Sequence, residues 1–210
     1  MAARRAAIMD AARDLLAQKG VADISLRELS LRVGLAKSNV LRYFDSREAI
    51  FLELFHEECR AWLADLETLL GTPQPPKPGY RNEIRVATTI ADSLAGRRLL
   101  CELIGAMAVV LERNISADFA RDFKLRAMGN VDALAQLVGR QLPWLAPASA
   151  ALYAEGALTL AGGMYPFSMP TEAVRTAMTE LGMPDPQRRF TDGLRDGLVT
   201  WLVGAVVRSS

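Results

Sequence analysis

The stretch GLAKSNVLRYF, residues 34–44, reads as a short helix that carries Lys37, Ser38, Asn39 and Arg42 outward. Val40, Tyr43 and Phe44 then turn back toward a small core. Basic and amide side chains at the start of one helix reach both phosphates and base edges in a major groove. Upstream, Ile8, Ala12, Leu15 and Leu16 share one helical face, and Gly20 after Lys19 stops a helix over about residues 4–19. Ser25 and Glu28 stand at capping-box spacing, opening a second helix with Leu26, Leu29 and Val33 as its inward stripe. Gly34 ends that helix and permits a tight turn. Two short helices joined this way form a helix-turn-helix. A plain αα-corner shows the same pattern, so the flanking residues have to decide between them.

Downstream, Asp45 or Ser46 caps a fourth helix, with Glu48 again at capping-box spacing from Asp45. Phe51, Leu54, Phe55, Trp62, Leu66 and Leu69 mark its buried side. Running to Leu70, it is a rod about 36 Å long at 1.5 Å per residue. GTPQPPKPGY, residues 71–80, holds four prolines and two glycines and reads as a connector. Helical patterns then recur over residues 83–95, 97–113, 116–142, 148–164, 171–181 and 187–207. The expectation is an all-α chain. A helix-turn-helix head over residues 1–48 is joined by a long helix to a helical body over residues 49–210.

Composition narrows the function. The 210 residues carry a net charge of +1, but residues 1–44 hold eight Lys/Arg against four Asp/Glu. A basic head on a near-neutral body suits a polyanion at one end only. Cys59 and Cys101 are too few for a disulfide framework and read as core thiols. The amphipathic start MAARRAAIMDAARDLL is no signal sequence, and no apolar run approaches the length of a membrane span. The expected setting is therefore cytoplasmic, with no membrane partner. His56, beside Glu57 and Glu58, lacks metal-ligand spacing. No phosphate loop, nucleophile elbow or paired-Cys motif is present, so neither metal, cofactor nor catalysis is expected.

Residues 8–55, through IMDAARDLLAQKG, ISLRELSLRVGLAKSNVLRYF and DSREAIFLELF, resemble the DNA-binding domain of the tetracycline-repressor (TetR) family of transcriptional regulators. The resemblance implies a homodimer on a palindromic operator in double-stranded DNA and a variable helical body that often binds a small effector. LLCELIGAMAVVLERNIS resembles one recurring subtype of that body. Three positions depart from the pattern. Ala36 stands where a capping Ser or Thr is usual, Leu41 where an aromatic is usual and Leu31 where a charge is common. The DNA-contacting set is then Ser25, Arg27, Lys37, Ser38, Asn39, Arg42, Tyr43 and Arg47. Asn39 and Arg42 are assigned to base edges; Ser25, Lys37 and Arg47 are assigned to phosphates.

In the body, Met107, Phe119, Phe123, Tyr153 and Met164 are core residues first. The resemblance makes them candidates for an apolar effector pocket with Glu102 or Asn130 as polar anchors. Such a pocket takes a hydrophobic or amphipathic ligand. For Glu102 an ion pair with Arg97, Arg98 or Arg126 is the structural alternative. Phe190, Leu194, Leu198, Trp201, Leu202 and Ala205 recur at helical spacing and are assigned to the dimer interface. Gly193, Gly197, Thr200 and Gly204 line an adjoining face. The resulting expectation is an effector-responsive repressor; the alternative is a helical ligand-binding protein or enzyme with no operator.

Overall fold

Three serines start helices by accepting a backbone N–H with the side-chain oxygen. Ser25 Oγ accepts from Glu28 N (3.2 Å), Ser46 Oγ from Ala49 N (3.0 Å) and Ser116 Oγ from Phe119 N (3.2 Å). In the computed structural model, which describes residues 2–209, these caps open α2 (Leu26–Arg32), α4 (Arg47–Leu70) and α7 (Ala117–Gln141). The head is completed by α1 (Ala2–Leu16), a 3₁₀ turn at Val21–Asp23 and α3 (Lys37–Val40). Gly34, with φ +65°, makes the left-handed turn between α2 and α3.

The body holds α5 (Arg81–Ala95), α6 (Arg98–Ala106), α8 (Pro147–Met164), α9 (Glu172–Glu180) and α10 (Pro186–Ser209), besides α7. The helix expected over 97–113 is interrupted: α6 gives way to a wider π turn at Met107–Leu111, with Glu112 N donating to Met107 O. The break follows Gly105. A Cβ added there would lie 3.1 Å from Gly162 O and 3.3 Å from Pro166, so α6 and α8 cross nearly backbone to backbone.

Buried side chains form one continuous core from Ile8 to Val206. The expected boundary at 48/49 therefore falls inside α4, which packs against α1 of the head and against α5, α6 and α7 of the body. Phe51, Trp62 and Leu66 on α4 are fully buried. In the body, α10 lies on α5 and α8. Phe190, Leu194, Leu198, Leu202 and Ala205 face into the monomer, with Leu194, Leu198 and Leu202 at 0% exposure. Trp201 lies over Gly156, where a Cβ would come within 1.9 Å of the indole. Gly193 and Gly197 are covered by Met164 and Leu160 of the same chain. Most of the apolar stripe assigned to a second copy is thus covered within the chain by α5 and α8, while Trp201 stays half-buried. Among the described residues no helix is long and apolar enough to cross a membrane.

Candidate nucleic-acid interface

α3 is only four residues long, and Ala36 at its N-cap offers no side-chain acceptor. Backbone bonds carry the turn onward, Tyr43 N donating to Val40 O at 2.9 Å and Phe44 N to Val40 O at 3.2 Å. Val40 and Phe44 are buried and anchor this segment, while Lys37, Ser38, Asn39, Leu41 and Arg42 are exposed on it. Arg27 is exposed on α2. Among the described residues, the side chains of Arg27, Lys37, Asn39 and Arg42 have no protein partner. Apart from Arg4, exposed on α1, the other cations of the head are engaged, among them Arg13 with Asp10, Glu57 and Glu58, Lys19 with Glu28, and Arg32 with Asp14. Free positive charge therefore gathers on α3 and α2.

One member of the expected set is placed differently. Arg47, assigned to a phosphate, donates to Val21 O (3.3 Å), Ile24 O (2.6 Å) and Glu48 Oε1 (3.1 Å), and its side chain is 16% exposed. It closes the turn ahead of α2. Tyr43 is half-buried and packs on the core. Ser25 is exposed, its oxygen already accepting from Glu28 N.

Glu102 is the second departure. Among the described residues it makes no ion pair with an arginine. Its Oε1 accepts from Val21 N at 2.9 Å, across 81 residues of chain. Burial pushes the Glu102 carboxyl above the usual range, against the pull of the Val21 N–H and the charge of Arg98. Val21 is thereby held from both sides, its N–H by the body and its carbonyl by Arg47.

The other body residues are scattered through the packing. Phe123 is buried edge-on against Phe55, centroids 5.9 Å apart, and Phe119 and Met107 are half-buried. Tyr153 is fully buried with its hydroxyl unpartnered. Met164 covers Gly193. Asn130 meets His56 Nδ1 at 3.3 Å. Burial, with Arg126 and Arg60 nearby, lowers the His56 pKa and favours the neutral ring. A groove of about 450 Å³ lies elsewhere, between α7 and the start of α8, lined by Asp132, Gln136, Pro143 and Leu145 among others.

Sequence reasoning missed a set of side chains that tie body to head. Arg126 of α7 grips Glu53 of α4 with two bonds of 2.9 Å. Arg5 of α1 pairs with the same carboxylate at 3.3 Å. Burial alone would raise the Glu53 carboxyl, but Arg126 and Arg5 outweigh it and hold it below the usual range. These partners lie 73 and 48 positions apart, so no local pattern announces them.

Comparison with known proteins gives concordant matches over nearly the whole chain. Residues 8–54 match the family described as bacterial regulatory proteins, tetR family, and residues 56–209 match the tetracyclin repressor-like C-terminal domain. The HTH-type transcriptional regulator RutR of Escherichia coli K12 is 28% identical over 119 residues, 56% of each chain. The chain thus spans about half the length of that curated relative. An uncharacterized HTH-type transcriptional regulator of Mycobacterium tuberculosis H37Rv, Rv1255c, is 27% identical over 151 residues, 62% of this chain and 72% of that one. Among solved structures, a TetR variant from Acinetobacter baumannii in complex with minocycline aligns with a TM-score of 0.55 at 14% identity, covering 97% of this chain and 96% of that one. FadR of Bacillus subtilis in complex with stearoyl-CoA aligns with a TM-score of 0.53 at 15% identity, covering 93% and 97%. With a helix-turn-helix at one end and a matching helical domain over the rest, this chain belongs to the TetR family of transcriptional regulators.

Proposed function

We propose that the protein is an effector-responsive repressor that binds a palindromic operator as a homodimer. The observation that carries this reading is the unpaired, exposed set Arg27, Lys37, Ser38, Asn39 and Arg42, in a head whose remaining cations are largely engaged. Asn39 and Arg42 are the base readers, and Lys37 and Arg27 hold phosphates, with Ser25 beside them. Arg47 and Tyr43 shape the head from within.

Pairing of two copies uses the outer faces of α8 and α10, where Leu152 and Val207 are about half exposed. A groove of about 420 Å³ beside them is lined by Thr200, Trp201, Gly204 and Val207. The effector enters the body near Met107, Phe119, Phe123, Tyr153 and Met164. The unpartnered Tyr153 hydroxyl supports a polar contact there. A hydrophobic or amphipathic ligand fits such a lining. Relatives of the same fold that hold minocycline or stearoyl-CoA agree with that class.

Footprinting of purified protein on the DNA flanking its own gene tests the reading. An inverted repeat should be protected, with half-sites about 34–36 Å apart. Affinity should fall steeply with salt yet survive random competitor DNA. Binding abolished by competitor at every salt concentration would refute operator recognition.

A further inference from the structure

The last carbonyls of a helix lack intrahelical partners and need donors from elsewhere. At the end of the α3 segment the Tyr43 carbonyl finds one in Arg5, whose Nη1 donates to it at 2.8 Å. The same guanidinium lies over the Phe44 ring, 4.2 Å from its centroid, and its Nη2 is 3.3 Å from Glu53 Oε1. Both Glu53 oxygens are in turn held by Arg126 at 2.9 Å. One helical turn further along each helix, Asn130 of α7 meets His56 of α4. A continuous polar chain therefore runs from the body through α4 and α1 to the end of the DNA-reading segment. An arginine's planar fork fixes both distance and orientation of its partner.

We propose that Glu53 is a positioning residue for DNA recognition, holding Arg5 on the Tyr43 carbonyl and tying that contact to Arg126 of the body. The inference rests on the DNA-binding reading above. Glu53 and Arg126 touch no DNA in this role. They set the angle at which Asn39 and Arg42 meet the bases, and α7 is the body element through which that angle is referred to the rest of the molecule.

The test uses full-length Glu53→Gln, Arg126→Met and the double swap Glu53→Arg/Arg126→Glu. Each is titrated with a duplex selected in vitro by the wild-type protein and with a random duplex of equal length. Glu53→Gln and Arg126→Met should lose about 2- to 30-fold in the specific-to-random affinity ratio. Their salt slopes should stay unchanged, since no phosphate contact is lost. The swap rebuilds the α4–α7 pair but leaves Arg5 facing a like charge, so the ratio should stay low. Full recovery in the swap would overturn the proposal and reduce the pair to a strut between helices. Hydrogen exchange of the free proteins supplies a readout that needs no DNA: the amides of residues 41–44 should exchange faster in Glu53→Gln while those of α8 do not change. Unchanged exchange at 41–44 overturns the positioning role. A wild-type protein that selects no sequence overturns the DNA-binding reading instead.

Discussion

A guanidinium that already donates to Val21 O, Ile24 O and Glu48 has little left for a phosphate, whereas that of Arg42, five positions earlier, is free. Arg47→Ala should therefore cost about 1.5–3 kcal/mol of stability, read by denaturant unfolding, because charged hydrogen bonds to the turn are lost. Arg42→Ala should leave stability unchanged and cost about 1–3 kcal/mol of discrimination between operator and random DNA. Glu102 adds a pH signature. Its folded-state pKa is raised by burial, so the folded protein holds this proton more tightly than the unfolded chain. Its contribution to stability is then greatest below the ordinary glutamate pKa and is lost as pH rises through the raised folded value. Denaturant unfolding across that window should show wild type losing stability relative to Glu102→Gln as pH rises. A constant difference between the two would show that the carboxyl does not titrate differently on folding.

Helix starts were largely legible because capping is local. Ser25, Ser46 and Ser116 lie three residues before the N–H groups they satisfy, so local pattern locates α2, α4 and α7 to within a residue, the cap of α4 proving to be Ser46 and not Asp45. α3 lacks such a cap, since Ala36 carries only a methyl group in the extended N-cap conformation (φ −69°, ψ 150°). Ala36→Ser should stabilise the head by about 0.5–2 kcal/mol, measured as a shift in its denaturation midpoint. An unchanged midpoint would mean that the packing of Val40 and Phe44 already holds α3 fully. The break of α6 into a π turn was not legible. It follows the crossing of Gly105 with Gly162, 57 residues away, and nothing within LLCELIGAMAVVLE marks it.

Which face of a helix is buried within the monomer and which is left exposed is settled by the assembled fold. Leu198 is fully buried on α10 and Leu152 is half exposed on α8, although both are leucines in apolar helices. Leu198→Asp should unfold the chain, because an unpaired carboxylate in the core is costly. Leu152→Asp should keep the fold and weaken self-association, seen as a shift to monomer in sedimentation velocity. A folded, fully dimeric Leu152→Asp protein would move the interface off the outer face of α8.

Periodicity, capping and the glycine turn were enough to read an all-α chain with a helix-turn-helix head, because each rests on residues within four positions of one another. The exposed Lys37, Asn39 and Arg42 were readable for the same reason, facing away from Val40 and Phe44 on one short segment. The tasks of Arg47, Glu102, Glu53 and the α10 stripe were hidden from local patterns. Arg47 had to meet the Val21 turn, Glu102 a backbone N–H 81 residues away, and Glu53 two arginines from different domains. Leu194 and Leu198 had to find α5 and α8 before a second copy could. Sequence patterns show that a buried charge or an apolar stripe needs a partner; packing selects it, because burial and hydrogen bonding depend on what chain folding brings within a few ångströms.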